Sequence, residues 1–393
     1  MIILSIETSC DETAVAIIKR ARGKQARFEI LANKILSQVD LHAQYGGVFP
    51  ALAKREHAKA LTQLIAEALE DADLLVERTN TFHLPMAQKK KLEKLLVREP
   101  EMLQAMLILF EGIQKPAIDA IAFTSGPGLE PALWVGINAA LALNIVWDID
   151  LYPINHMEGH IIASTLQKND NVYELGNITF PACALLISGG HTEIVRISKT
   201  RSYKIVGHTK DDAVGEAFDK AARMLGLPYP GGPQISALAE KARKEGIIVD
   251  ESLRLPRPML HSKDLLFSFS GLKTAVLTRV KNNEPLSEEK KLMLALEFEN
   301  AVTDIFMVKM KQAIYEMGAK TIIVGGGVSA NTHIRSALTQ LAKEEDCLLY
   351  IPERALSTDN GLMIAATGLL HIHEGVAPKV KVVANGSWSV EHA

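Results

Sequence analysis

A pattern that occurs twice constrains this chain most. Ile2 to Ile6 reads as a short apolar strand and Glu7-Thr8-Ser9-Cys10-Asp11-Glu12-Thr13 as a hydroxyl-rich turn; Ala14 to Ile18 reads as a second apolar strand. Ala182 to Ile187, Ser188-Gly189-Gly190-His191-Thr192 and Glu193 to Ile197 repeat that order. Each hairpin is followed further on by a strand, a glycine turn and a helix. In the first half these are Ala117 to Thr124, Ser125-Gly126-Pro127-Gly128 and Ala132 to Val146. In the second they are Lys320 to Val324, Gly325 to Asn331 and Thr332 to Lys343. Short apolar runs bounded by turn residues read as buried strands, and a repeated order of elements reads as a degenerate duplication. The expectation is an α/β chain of two facing domains with a ligand between them.

The connecting stretches add a third strand from Phe28 to Ser37 and a helix from about Ala51 to Leu75. Arg78 to about Lys115 stands apart. It carries Lys89, Lys90, Lys91, Lys94 and Arg98 and then the apolar run Met102 to Phe110, which reads as one or two inserted amphipathic helices. Such a basic face is either solvated or a contact for a polyanion or a protein.

With 393 residues the chain can build two substantial cores, and 48% hydrophobic with 23% charged residues suits a globular protein. The formal net charge of -3 gives no overall basic field, so a nucleic-acid partner would need a local patch. Cys10, Cys183 and Cys347 lie far apart without a C-x-x-C pair, which suits a reducing compartment. Met1-Ile2-Ile3-Leu4 runs into Glu7 without a basic region or cleavage site, so it reads as a strand and not a signal peptide. No apolar run is expected to reach the roughly 18 residues of a membrane span. The expected location is the cytoplasm, away from membranes.

His156-Met157-Glu158-Gly159-His160 places two imidazoles at i and i+4, on one helix face, where both can reach one ion. A carboxylate from Ser357-Thr358-Asp359-Asn360-Gly361 would complete a two-histidine, one-carboxylate set with open positions. The alternative is one capping and one packed histidine. A zincin is excluded, because Met157 stands where the base Glu belongs, and Gly159 excludes the inverted form.

Ser188 to Thr192 follows an apolar strand, and its two glycines allow backbone N–H groups to cradle an anion. Gly325 to Ala330 matches G-x-G-x-x-A but sits far from the first strand, which favours a nucleotide-facing loop over a hydride-transfer site. Gly271-Leu272-Lys273-Thr274 lacks the first P-loop glycine, since Leu266 occupies that place. Asp211 to Lys220 carries carboxylates on a helical pattern, and Tyr229 to Pro233 marks a sharp loop. Asp219 and Gly232 become a pocket edge only if that helix lines the cleft.

Taken together these segments resemble a known family. Ile6 to Thr13, Ser37-Gln38-Val39 with Tyr45-Gly46-Gly47-Val48, Ser125 to Leu129, His156 to His160, Ser188 to Thr192, Gly215 to Lys220, Tyr229 to Pro233, Phe267 to Thr274, Gly326 to Asn331 and Thr358 to Gly361 all stand in its order. The chain closely resembles the tRNA threonylcarbamoyladenosine transferases, the TsaD family, over nearly its whole length except Arg78–Lys115. The resemblance implies a two-lobed actin/sugar-kinase/Hsp70-like fold. The lobes would be 1–152, with the insert at about 78–115 and completed by about 360–393, and 153–359. It implies transfer of threonylcarbamoyl from threonylcarbamoyl-AMP to N6 of the adenosine beside the anticodon, in tRNAs reading codons that begin with A. It also implies that His156, His160 and Asp359 bind one metal, Fe2+ in the bacterial form, with Zn2+ or Mg2+ as alternatives. Leu186, Ile187, Ser188, Gly189, Gly190, Asp219, Gly232 and Asn331 would contact the adenylate, and Asp11 would position or deprotonate the amine. If the chain is bacterial, the implied partners besides tRNA are an inactive TsaB-like paralogue and a small TsaE-like ATPase. Glu130-Pro131 and Trp134 depart from the smaller or apolar residues expected after the glycine turn. The competing readings are a non-catalytic nucleotide-binding scaffold of the same fold, a sugar or acetate-type kinase, and a metalloprotease.

Overall fold

The structure, a computed structural model, describes residues 1–23, 26–379 and 381–393. It divides into two compact units, Met1–Gly176 with Asp359–Ala393, and Asn177–Thr358. The first unit therefore runs on past the expected boundary at 152 to Gly176, and it contains all three candidate metal ligands.

In chain order the first unit forms β1 (Ile2–Glu7), β2 (Glu12–Arg20), β3 (Arg27–Ser37), α1 (Val39–Ala43), α2 (Pro50–Asp71), α3 (Met86–Leu95) and α4 (Pro100–Gly112). It continues with β4 (Ala120–Gly126), α5 (Glu130–Trp147), β5 (Asp150–Asn155), α6 (His156–Ser164), β6 (Leu166–Asn169) and β7 (Val172–Leu175). The strands make one sheet in the order β5-β4-β1-β2-β3-β7-β6. β1 pairs antiparallel with β2, from Ile2 opposite Lys19 to Glu7 opposite Ala14, and parallel with β4. Side chains alternate along β1. Leu4 and Ile6 join the core under α2 and α5, with Leu61, Ile65, Leu133 and Ile137.

The second unit forms β8 (Ala182–Ile187), β9 (Thr192–Lys199), β10 (Ser202–His208), α7 (Val214–Met224), α8 (Gly231–Lys244), α9 (Ser270–Lys281) and α10 (Glu288–Met317), then β11 (Thr321–Gly325), α11 (Thr332–Glu344) and β12 (Leu348–Tyr350). Its sheet order is β10-β9-β8-β11-β12. Read from β12, this repeats β5-β4-β1-β2-β3, with the same antiparallel hairpin and the same parallel neighbours. The duplication seen in the sequence is thus a duplication of topology, and the first unit adds only the β6–β7 hairpin. The chain returns to the first unit at Asp359 and forms α12 (Gly361–His373). α12 covers the other face of the first sheet, where Ser5 Oγ donates to Gly361 O at 2.7 Å.

Several helix starts follow from local sequence. Pro131 lies in the first turn of α5 with Glu130, where proline loses no bonded N–H and an acid meets the helix dipole. The departure at Glu130-Pro131 is thus a helix start. α10 begins at the Ser287 cap, whose Oγ accepts from Lys290 N at 3.3 Å, and ends at Gly318 in the left-handed region. α5 is also the one helix among the described residues long and apolar enough to cross a membrane, and most of it is buried inside the protein. That corrects the expectation that no run reaches this length; α5 owes its apolar character to burial against β4 and α2. The insert, expected as one or two helices, forms two, α3 and α4, anchored by Leu92, Leu96, Met102, Met106 and Phe110. Buried Glu99 between them accepts from Lys54 at 2.7 Å and from Asn138 at 3.4 Å.

Candidate metal centre and anion-binding turn

Asn155 caps α6, its Oδ1 accepting from Met157 N at 2.9 Å and Glu158 N at 3.1 Å. Fixing the helix start fixes His156 and His160 one turn apart, both buried, with ring centroids 4.7 Å apart. Gly159 lets α12 close on this helix, since a Cβ there would meet Ile364 Cδ1 at 3.3 Å. On α12, Asn360 caps the helix by accepting from Met363 N at 3.0 Å, which leaves Asp359 just ahead of the first turn. Asp359 Oδ1 lies 3.3 Å from His156 Nε2 and 3.2 Å from His160 Nε2. The three ligand atoms lie within 4.8 Å of one another.

Glu7, at the end of β1, orients this set. Its Oε2 lies 3.1 Å from His156 Nδ1 and takes a second hydrogen bond from Thr124 Oγ1, while its Oε1 accepts from Ser9 N at 2.5 Å. With Nδ1 donating to Glu7, the neutral His156 ring that a cation would bind presents its Nε2 lone pair to the space shared with His160 and Asp359. Ser9 Oγ lies 3.1 Å from His156 Nδ1 and 3.5 Å from Asp359 Oδ2. The Ser9 turn is itself pinned by close packing: a Cβ on Gly128 would fall 2.7 Å from Ser9 O. Burial disfavours a charged His156, yet the Asp359 and Glu7 carboxylates outweigh it and hold the imidazole well above its usual range. Burial works against Asp359 too, but the two imidazoles keep it far below the usual carboxylate range.

These residues fit a bound cation. His160 Nε2 is buried and makes no hydrogen bond. Two imidazoles and one carboxylate match the donors that bind iron or zinc with positions left open. Extra negative charge gathers nearby. Burial, then the Asp359 and Asp11 carboxylates, push the Glu12 carboxyl up to about 10. Asp11, the expected catalytic residue, is buried in this turn, and its carbonyl accepts from Gln38 N at 2.9 Å.

Sequence reading assigned no role to Glu7, Ser9 or His57. His57 Nε2 donates to Cys10 O at 3.0 Å, and its Nδ1 accepts from Thr13 Oγ1 at 2.7 Å and from Gln38 Nε2 at 3.2 Å. Burial lowers its pKa from 6.5 to about 4. The unfolded chain therefore binds more protons across that interval, so the stability is complete above about pH 6.5 and is lost as pH falls to about 4. The expected loss is roughly 3 kcal/mol. Urea unfolding at neutral pH and at pH about 4 reads it, with His57→Gln as the reference that cannot take up the proton. Equal acid sensitivity in the two proteins would refute it.

In the second unit, the Ser188 to His191 turn is closed by Ser188 N donating to His191 O at 2.9 Å and His191 N donating to Ser188 Oγ at 3.1 Å. A Cβ on Gly189 or Gly190 would meet nothing within 4 Å. Two further glycines, Gly215 and Gly326, pack against this turn and the strand before it. The start of α7 presses on it, where a Cβ on Gly215 would fall 2.7 Å from Ser188 O. Gly326, at φ +90°, passes so close that a Cβ would fall 2.5 Å from Ile187 O. Asp219 accepts from Gly231 N at 2.7 Å and so fixes the start of α8, where a Cβ on Gly232 would meet Phe218 Cβ at 3.9 Å. Asn331 caps α11, accepting from Ile334 N at 3.0 Å, while its Nδ2 donates to Glu299 Oε1 at 2.5 Å and Ser236 Oγ at 3.3 Å. Buried Glu299 also receives Arg243 Nη1 at 2.5 Å.

One sequence expectation changes here. Tyr229 to Pro233 was expected as a loop, but Gly231 to Pro233 form the first turn of α8. Among the carboxylates from Asp211 to Lys220, exposed Asp211 accepts from Ser268 Oγ, Ser270 Oγ and Phe269 N at 2.5, 2.7 and 2.8 Å, and Asp212 pairs with Lys220 and Lys273. The segment that mimics a P-loop is therefore a helix start held by Asp211.

Comparison with known proteins decides the family. A family model described as tRNA N6-adenosine threonylcarbamoyltransferase (TsaD) matches residues 29–81 and 92–366. The chain belongs to the TsaD family. Its reaction is threonylcarbamoyl transfer to N6 of adenosine in tRNA. The tRNA N6-adenosine threonylcarbamoyltransferase of Bacillus subtilis (strain 168) is 39% identical over 378 residues, covering 96% of this chain and 92% of that protein. A crystal structure of full-length HypF, in a phosphate- and nucleotide-bound form, aligns with 96% of this chain at 12% identity and a TM-score of 0.50. This chain spans 47% of that one, and the likeness shows the fold: the actin-like ATPase fold. The gap in the family match, 82–91, falls in the insert and includes the first half of α3, so TsaD membership does not explain those lysines.

Proposed function

We propose that His156, His160 and Asp359 hold one Fe2+ and that the turn Leu186 to Gly190, with Asp219, Gly232 and Asn331, holds threonylcarbamoyl-AMP. The observation that carries the first assignment is the convergence of two buried imidazoles and a half-buried carboxylate on one space, with Glu7 fixing one ring. The second rests on the open turn at Gly189 and Gly190, against which Gly215 packs, and on the family resemblance. In transfer, N6 of the adenosine beside the anticodon attacks the carbamoyl carbon, the N–C bond forms, and the C–O bond to AMP breaks. N6 loses one proton, and AMP leaves with the bonding pair.

The donor is a mixed anhydride with a good leaving group and the adenine amine is a poor nucleophile, so orientation and charge stabilisation carry the rate. A bound Fe2+ supplies Lewis acidity toward an acyl oxygen. The N–H groups of Gly189 and Gly190 hold the phosphate, and the absence of side chains lets the backbone approach it. Asp11 takes or orients the amine proton. The reaction belongs in the cytoplasm, and the partners are tRNA, a TsaB-like paralogue and a small TsaE-like ATPase. Their support is the resemblance and the reducing character of three unpaired cysteines.

The donor assignment is tested by Gly189→Val. A branched side chain over the turn should raise the KM for the adenylate by about tenfold or more, with metal content and tRNA affinity unchanged. An unchanged donor KM would move the adenylate elsewhere.

A further inference from the structure

Two aromatic rings stand in water on the segment between α1 and α2. Tyr45 is 65% exposed and Phe49 57% exposed, and they stack on one another with centroids 6.4 Å apart and planes 24° apart. Phe49 is the only exposed phenylalanine among the described residues. Core aromatics are ordinary, whereas a stacked exposed pair on a fixed turn is not required by the fold.

The turn is wired to the reaction loop. Tyr45 N donates to His42 O at 2.9 Å, and Phe49 N donates to His42 Nδ1 at 3.3 Å. His42 Nε2 donates to Gln38 Oε1 at 3.2 Å, and Gln38 Nε2 donates to His57 Nδ1 at 3.2 Å. His57 Nε2 ends the series on Cys10 O at 3.0 Å, beside Ser9, which touches His156 and Asp359. His42 and His57 are fully buried, so these bonds are shielded from water. A buried polar series thus holds the aromatic pair in fixed register with the Ser9 to Asp11 turn. Gly46 and Gly47, at φ 69° and 153°, shape the bend between the rings.

We propose that Tyr45 and Phe49 form a stacking platform for a base of the tRNA anticodon loop next to the adenosine being modified. The proposal rests on the transferase reading, which supplies a single-stranded loop as substrate. Proteins recognise such loops by stacking splayed bases on aromatic side chains. Cationic Arg55 and Lys59, in the first half of α2, suit the accompanying phosphates; both pair with Glu56 at 3.2 Å. The rings position the substrate and take no part in the bond changes.

The test compares wild type with Tyr45→Ala, Phe49→Ala, the double variant and the conservative pair Tyr45→Phe and Phe49→Tyr. Each alanine should raise the KM for tRNA by about tenfold with little change in the donor KM, and the conservative variants should stay near wild type. An anticodon stem–loop carrying a fluorescent adenine analogue beside the target adenosine should be quenched by wild type and not by the double variant. Because that arm needs no catalysis, it separates failure of the platform from failure of the reaction. Both residues are exposed, so melting temperatures should match wild type. Wild-type tRNA KM and quenching in the double variant would overturn the proposal. So would normal stem–loop binding with loss only of association with a protein partner.

Discussion

Replacing Asp359 with alanine is expected to strip the metal from the chain and to cut threonylcarbamoyl transfer by about a thousandfold. Asp359 is the only carboxylate within reach of both His156 Nε2 and His160 Nε2, at 3.3 and 3.2 Å, among the described residues. Without it, two imidazoles remain, and the cation loses its charged ligand in a buried site. A Lewis acid at a reacting carbonyl contributes several kcal/mol to the transition state, and about 4 kcal/mol corresponds to that thousandfold. Glu7→Ala should give a milder version. It leaves all three donors but frees the His156 ring, and loss of such an orienting partner lowers metal affinity by about ten- to a hundredfold. Metal content after dialysis and single-turnover transfer read the two effects separately. Stoichiometric metal and near-wild-type transfer in Asp359→Ala would remove Asp359 from the ligand set, and metal loss with near-wild-type transfer would remove the metal from the mechanism. A Glu7→Ala protein with wild-type affinity would reduce Glu7 to a packing role.

What the sequence made legible follows the range of the forces involved. Ala182 to Ile187 is a strand with those bounds, because an apolar run between turn residues has few alternatives. His156 and His160 are readable as a pair because helix geometry alone brings them together. Asp359 is readable as the kind of ligand that a pair of histidines lacks. The partner of His156 is not readable, since Glu7 lies 149 positions away and meets it only through the parallel pairing of β1 with β4 and β4 with β5. The β6–β7 hairpin escaped because Leu166–Asn169 and Val172–Leu175 are only four residues each, and they become strands by pairing with one another and, through β7, with β3. The start of α8 was masked by its own glycines and proline, which signal turns but also suit the first turn of a helix. The lobe boundary moved for a related reason: the β6–β7 hairpin extends the first sheet, so contacts carry that unit to Gly176.

Arg243→Ala should destabilise the protein by about 3–5 kcal/mol, more than a surface ion pair would suggest. Glu299 sits inside α10 with its side chain wholly buried, and Arg243 reaches it from α8 at 2.5 Å. Arg243 Nη2 also donates to Asn300 Oδ1 at 2.7 Å, so the guanidinium ties two consecutive residues of α10. Removing it leaves a buried carboxylate held by the neutral Asn331 amide at 2.5 Å, and that uncompensated charge carries most of the cost. The double variant Arg243→Leu with Glu299→Leu removes both charges and should recover most of the stability in urea unfolding, whereas a pair that was merely additive would lose more. The same variants separate stability from function. Glu299 holds Asn331 in place from the side opposite its capping bond to Ile334 N. The leucine pair should therefore fold well yet still raise the donor KM, because Asn331 has lost its anchor. A loss below about 1 kcal/mol in Arg243→Ala would mean that water reaches Glu299 and that the pair behaves as a surface one. A stable leucine pair with an unchanged donor KM would separate Asn331 from the adenylate.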